Sequence, residues 1–246
     1  MDTVLFDLDG TLLPLRNESF IRAYFDAFLK RFSYLNFRPQ VLMKAVWSGT
    51  EAMMKNEGER LNREVFWEAF SSVLGADMRP YEGEFESFYK NEFNSVRSVV
   101  SPEPLAKECV KELKRRGYTV VLATNPIFPA VATIARIEWA GLDKGDFALI
   151  TTYENSCFCK PNPRYFTDVL ERIGKTPRDC IMIGNDAEED GAAAKLGIPV
   201  YLLGECIIET EEHRADCFER LSFEDLKNLI HTLPILNRNG EIEYEV

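Results

Sequence analysis

The chain has 246 residues, 46% hydrophobic and 28% charged, enough for one sizeable core plus a small second unit. Its formal net charge of −11 speaks against nucleic acid or an anionic membrane as partner, since both reward stripes of Lys and Arg, but not against a small anionic substrate held by a metal and a local Lys. No apolar run is long enough to span a membrane and strand-like sequence already begins at residue 3, which leaves no room for a removable leader, so a cytoplasmic protein is expected.

Thr3–Phe6 is a short apolar, β-favouring run that reads as a buried strand. It ends in Asp7-Leu8-Asp9-Gly10-Thr11, two acids separated by one residue before a Gly-Thr turn. Alternate residues of an extended segment point the same way, so Asp7 and Asp9 can approach one centre at the strand's carboxyl end. Two carboxylates that close repel unless a divalent cation or a shared proton lies between them, and magnesium, a hard ion, suits them. The alternative is a strand capped by an Asx-turn at Asp9.

Residues 16–98 then change character. Asn17 can cap a helix with Phe20, Ile21, Tyr24, Phe25, Phe28 and Leu29 on one face. Pro39 opens a second helix, Asn62 precedes a third that closes near Gly75, and 83–94 forms a fourth carrying Phe85, Phe88, Tyr89 and Phe93. No β alternation interrupts them, so 16–98 is expected to be a helical subdomain inserted into a core made of 1–15 and 99–246.

From Pro102 helices and strands alternate. Helices are expected at 104–115, 129–139, 164–173 and 188–196, and strands at 119–123, 147–151, 180–183 and 199–203. This is the pattern of a doubly wound, mostly parallel, Rossmann-like α/β sheet covered on both faces. Ser222 with Asp225 caps a last helix, and Asn239-Gly240 reads as a small hairpin or a loose tail. The six cysteines lack zinc-site spacing and are expected to be free, buried or partly buried thiols; His213 and His231 read as surface or helix-end residues.

Three further motifs stand where strands run out. Thr124 can donate its hydroxyl to a phosphate oxygen, or bond its own backbone; Asn125 can add an amide or hold the turn. Lys160, in Cys159-Lys160-Pro161-Asn162-Pro163, is a cation on a backbone stiffened by prolines. Gly184-Asn185-Asp186-Ala187-Glu188-Glu189-Asp190 brings acids to another strand end, where acids also suit the start of a helix. Arg16 and Asn17 are candidates for substrate contact or simply a helix N-terminus.

Together, Asp7-Leu8-Asp9-Gly10-Thr11-Leu12, Thr124-Asn125, Lys160-Pro161 and Gly184-Asn185-Asp186 to Asp190 resemble the four motifs of the haloacid dehalogenase-like hydrolase superfamily. The resemblance covers 1–15 and about 99–205, and the helical insert matches that family's cap. It implies that Asp7 is a nucleophile forming an aspartyl-phosphate. Asp9 would protonate the leaving oxygen and then activate water. Thr124 and Lys160 would bind the phosphoryl group, with Asn125, Leu8 and Gly10 among the phosphate-binding positions. Magnesium would be held by Asp7 and Asp9 with Asp186 first, Asp190 next, and Asn185 as ligand or support. Many relatives carry Gly-Asp where this chain has Gly184-Asn185-Asp186. An acid at position 9 distinguishes phosphotransfer from dehalogenation, because a halide needs no proton. The expectation is therefore a magnesium-dependent phosphatase acting on a small phosphorylated metabolite. The same-superfamily sugar phosphomutase and a non-catalytic binding module are the alternatives, and the oligomeric state is not readable.

Overall fold

In the computed structural model, residues 1–237 and 242 are described. β1 (Thr3–Phe6) is followed by α1 (Asn17–Arg31), α2 (Pro39–Met54), α3 (Asn62–Leu74) and α4 (Glu82–Lys90). A 3-10 run, Glu92–Val99, then leads to α5 (Pro104–Arg115), β2 (Thr119–Leu122), α6 (Ala130–Trp139) and β3 (Leu149–Ile150). α7 (Pro163–Ile173), β4 (Cys180–Gly184), β5 (Val200–Leu203), β6 (Glu219–Leu221) and α8 (Phe223–Thr232) complete the order.

All six strands are parallel, in the order β3-β2-β1-β4-β5-β6. β1 lies between β2 and β4, so the chain reverses its direction of winding beside β1, and the crevice outside its carboxyl end is where such sheets bind ligands. Strand alternation divides the core. Val4, Phe6, Val120, Leu122, Ile181 and Ile183 pack with α5, α6 and α8, whereas Leu5, Val121 and Met182 pack with α7.

The inserted helices pack through aromatic rings, in one core continuous with the Val4 and Phe6 face of the sheet. Phe32 and Phe85 stack at 4.3 Å, and the Tyr24 and Tyr89 hydroxyls meet at 3.1 Å. Phe93 against Trp139, at 4.9 Å between centroids, joins the insert to α6. The start of α3 is tied to the loop after β3: Asn62 N donates to Ser156 O and Arg63 N to Tyr153 O, each at 2.8 Å.

Several expectations change in detail. Asn17 is the first residue of α1 and Arg16 its N-cap, with no side-chain cap bond, because Arg16 has no short oxygen to offer the free amides. The fourth helix stops at Lys90 and resumes as the 3-10 run, Asn91 leaving helical geometry between them (φ −118°, ψ −84°). The expected helix at 188–196 is instead a 3-10 run, Gly191–Leu196, which starts after Asp190, whose carboxylate is turned back onto the Asn185 and Asp186 amides. β6 was not foreseen, since Glu219-Arg220-Leu221 has one apolar residue and two exposed ones. All six cysteines are free, but Cys217 is exposed. The turn expected at Asn239-Gly240 lies outside the described residues.

Candidate active site

Because the strands are parallel, their carboxyl ends share one edge, and the four motifs meet there. Asp7 follows β1, Thr124 follows β2, Lys160 lies on the loop from β3 to α7, and Asn185 to Asp190 follow β4. Asp7, Asp9, Thr124, Asn125, Asn185, Asp186, Glu189 and Asp190 line one cavity of about 230 Å³, whose other wall comes from the helical insert.

Lys160 holds the centre together. Its Nζ, on a side chain 1% exposed, donates to Asp7 Oδ1 at 2.8 Å and Asp190 Oδ1 at 2.6 Å. Burial alone would lower the ammonium's pKa, but the Asp190 and Asp7 carboxylates hold it well above the usual lysine range. Burial pushes the Asp7 carboxyl up to about 7; Lys160 pulls it down, while Asp190 and Asp9 add to the rise. A nucleophile at this position needs a cation to be ionised, and one is in contact.

Asp190 has both oxygens engaged. Oδ1 meets Lys160, and Oδ2 accepts from Asn185 N at 2.9 Å and Asp186 N at 3.0 Å. In this arrangement it holds Lys160 and folds the Asn185-Asp186 loop. The loop permits this because residue 184 is glycine, whose Cβ would sit 2.0 Å from Asp190 Oδ2. Asp186 Oδ1 accepts from Glu188 N and Glu189 N, at 2.8 and 2.9 Å, and Oδ2 has no protein partner. Its carboxyl is pushed up by burial, a rise those two amides partly offset. Asn185 donates to Cys206 O at 2.7 Å and accepts from Thr11 Oγ1 at 3.1 Å, which ties the first and fourth motifs together.

Thr124 is buried, yet its hydroxyl makes no hydrogen bond among the described residues. The backbone bond that was its alternative is therefore not formed. The Thr124 carbonyl, by contrast, accepts from Thr151 Oγ1 at 2.7 Å and Tyr165 OH at 2.9 Å. Asn125 holds the turn: Nδ2 donates to Lys160 O at 3.3 Å, while Oδ1 is buried without a partner. The Leu8 side chain is in the core. Gly10 is a turn residue rather than an amide free for a ligand, since its N–H donates to Leu13 O at 2.9 Å. At Gly10 φ is +86°, and a Cβ would stand 2.3 Å from Asn185 Nδ2, so glycine is what lets the first motif close against the fourth. Asn17 lines the cavity and Arg16 does not.

Two site residues escaped the sequence reading. Arg136, 1% exposed on α6, forms an ion pair with Asp9 Oδ2, donates through Nε to Ala132 O at 3.2 Å, and stacks its guanidinium on Phe128 at 4.3 Å. Its only sequence signal was a lone cation inside the apolar run Ala130–Trp139. Glu189, partly buried in the cavity wall, has its carboxyl pushed up to about 8 by burial; Lys160 opposes the rise and Asp186, Asp190 and Asp7 add to it. It was quoted in the fourth motif but given no role.

The chemistry of the donors fits magnesium. Among the described residues Asp9 Oδ1 is buried without a partner, Asp186 Oδ2 has none, and Asp7 Oδ2 has only Thr11 Oγ1 at 3.4 Å. These are hard oxygens on one cavity wall. Among the described residues no three His, Cys, Asp or Glu side chains converge as a ready metal cluster. Magnesium does not need one, since it is commonly held by one or two carboxylates with waters and substrate phosphate.

The parallel α/β sheet thus places a buried carboxylate, a lysine on it and a second acid two residues on beneath one cavity. The sequence profile described as haloacid dehalogenase-like hydrolase matches residues 1–197, and the chain belongs to that family. It is 24% identical to the phosphoglycolate phosphatase of Mesorhizobium japonicum over 200 residues, 80% of each chain. It is 29% identical to the phosphoserine phosphatase of Thermus thermophilus over 160 residues, 63% of this chain and 60% of that one. The crystal structure of a HAD phosphatase from Thermococcus onnurineus shares the fold, with a TM-score of 0.61 at 18% identity, covering 99% of this chain and 100% of that one. No helix among the described residues is long and apolar enough to cross a membrane.

Proposed function

We propose that the protein is a magnesium-dependent phosphomonoesterase for a small phosphorylated metabolite, working through an aspartyl-phosphate on Asp7, beneath a cap formed by residues 16–98. The observation that carries this reading is the Lys160 bridge, which fixes one oxygen of Asp7 at the floor of a cavity that Asp9 also lines.

In this reading an oxygen of Asp7 attacks phosphorus, a P–O bond to Asp7 forms, and the bond to the leaving oxygen breaks. Asp9 gives the leaving oxygen its proton, then takes one from the water that cleaves the phosphoenzyme. Lys160 and the free Thr124 hydroxyl stabilise the phosphoryl oxygens. Asp7 and Asp186 would hold Mg²⁺, with Asn185 alongside, and Asp9 Oδ1 is kept for the proton. Bound there, the ion offsets repulsion between the Asp7 carboxylate and the phosphate. The names of the phosphatase relatives support the same reaction class, and the acid at position 9 supports phosphoryl transfer over dehalogenation.

The test is release of phosphate from p-nitrophenyl phosphate and a panel of metabolite phosphates, with Mg²⁺, with EDTA, and with Asp7→Asn. Turnover that needs Mg²⁺ and is lost in the variant is expected. Equal turnover in the variant would remove Asp7 as nucleophile.

A further inference from the structure

The cavity is divided by charge. Every charged side chain that lines it comes from the strand-end loops: Asp7, Asp9, Asp186, Glu189 and Asp190. The remaining lining residues, from the helical insert and the 127–129 and 153 segments, carry no charge of either sign. Among the described lining residues there is no Lys, Arg or His. Arg136 is the nearest candidate cation behind that wall. It is already engaged by Asp9, the Ala132 carbonyl, the Thr133 hydroxyl and the Phe128 ring.

The uncharged wall is instead aromatic. Tyr24, Trp47, Phe66, Trp67 and Tyr89 of the insert line it, with Phe128 packed edge-on against Tyr24 and Tyr89. Two of its apolar members are open to solvent, Trp47 at 47%, which also packs on the Phe25 ring at 5.7 Å, and Ile21 at 38%, whereas Tyr24, Trp67, Phe85 and Tyr89 of the same lining are buried. Exposed apolar surface at the mouth of a cavity gains from an apolar occupant. A carboxylate or a second phosphate in the same place would lose its hydration and meet no cation in return.

Resting on the phosphomonoesterase reading, we infer that the leaving group is an uncharged aromatic or bulky apolar alcohol, not one that carries a carboxylate or a second phosphate. Trp47, on the exposed side of α2, is a specificity residue under this assignment. Glycolate and serine, the alcohols whose phosphates the two phosphatase relatives are named for, both carry a carboxylate and are the poor fits.

Benzyl phosphate, methyl phosphate, phosphoglycolate and phosphocholine, all esters of primary alcohols, test this with the intact protein and Mg²⁺. The expected kcat/KM for benzyl phosphate exceeds that for phosphoglycolate by about 100-fold or more, as desolvating an unpaired carboxylate requires. Trp47→Ala is expected to lower the benzyl-to-methyl ratio. Phosphoglycolate or phosphocholine used as well as benzyl phosphate would overturn the inference. Binding decides it independently of catalysis: benzylphosphonate should quench tryptophan fluorescence at a concentration at least about tenfold below phosphonoacetate, since the rings of Trp47 and Trp67 line the site. If no ester is hydrolysed but benzylphosphonate binds preferentially, the reaction reading fails and the leaving-group assignment stands. Equal binding of the two phosphonates sinks the assignment whatever the turnover.

Discussion

Arg136 and Asp9, 127 residues apart in sequence, form an ion pair in which the cation is almost wholly buried and the acid is about one quarter exposed. The guanidinium thereby fixes one oxygen of the proposed acid/base and leaves the other, Oδ1, without a protein partner. Arg136 touches no reacting atom in this arrangement. It is a positioning residue for Asp9.

The two halves of that pair should respond unequally to mutation. Asp9→Ala leaves a buried guanidinium without its counterion, which costs roughly 3–5 kcal/mol. Arg136→Met removes the buried charge and leaves Asp9 partly in water, so its cost in urea unfolding should be smaller. The Met variant should still lose about 100-fold in kcat, with KM changed much less, because Asp9 is no longer aimed. If Asp9 is the base for the second step, rapid-quench experiments on Arg136→Met will show phosphoenzyme accumulating. An unchanged kcat would mean that the ion pair serves the fold alone.

The sheet was legible because its strands are short apolar runs ending abruptly in turn residues: Thr3–Phe6, Thr119–Leu122 and Cys180–Gly184 all stand where the pattern put them. Asp7, Thr124 and the fourth motif were legible for the same reason, each marking a strand end, whereas Lys160 stands well past β3, on the loop that enters α7. Arg136 was not. Its place depends on how α6 packs across the sheet edge, and no local pattern encodes that contact. Asp190 shows the complementary limit. The sequence offered five oxygen-bearing residues in the loop 185–190, and only the fold assigns both Asp190 oxygens to Lys160 and the loop amides.

Glu189 gives a pH-dependent stability whose sign is fixed by the direction of its shift. Its folded pKa, about 8, lies above the 4.5 of an unperturbed glutamate. Between those values the folded state binds the proton and the unfolded state does not. Glu189 is therefore favourable to folding at low pH, and its contribution is lost as pH rises through about 8. In EDTA, the thermal midpoint of the wild type should fall from pH 6 to pH 9. Glu189→Gln should flatten that fall and be more stable than wild type at pH 9, by an amount on the order of 2 kcal/mol. A parallel fall in the variant would assign the pH dependence to Asp7 and Asp186 instead.

Lys160→Met is the severest single change at the site. It leaves the buried carboxylates of Asp7 and Asp190 side by side without their shared cation. Breaking a buried pair from one side costs roughly 3–5 kcal/mol, and here two acids lose their partner. Urea unfolding at pH 8 should show that loss, and unfolding at pH 5 should recover part of it, because protonating either acid relieves the repulsion. A cost independent of pH would mean that the acids find another cation when Lys160 is gone.

Asp186 and Asp190, four residues apart, should separate a metal ligand from a positioning group. Asp186 caps the Glu188 and Glu189 amides with one oxygen and keeps the other free toward the cavity. Asp186→Asn still offers an oxygen to those amides but removes the charge that a hard divalent ion seeks. The Mg²⁺ concentration for half-maximal activity should rise at least about tenfold while the folded protein changes little in stability. Asp190→Asn takes away the carboxylate that Lys160 and the Asn185 and Asp186 amides share. Its stability should fall and kcat should drop, because Lys160 is then held from one side only, yet the Mg²⁺ dependence of the remaining activity should be close to wild type. Titrations of activity against Mg²⁺, run beside urea unfolding for both variants, check the pair. The opposite pattern, with the Mg²⁺ requirement moved by Asp190→Asn and not by Asp186→Asn, would return Asp190 to the metal and reduce Asp186 to a loop cap.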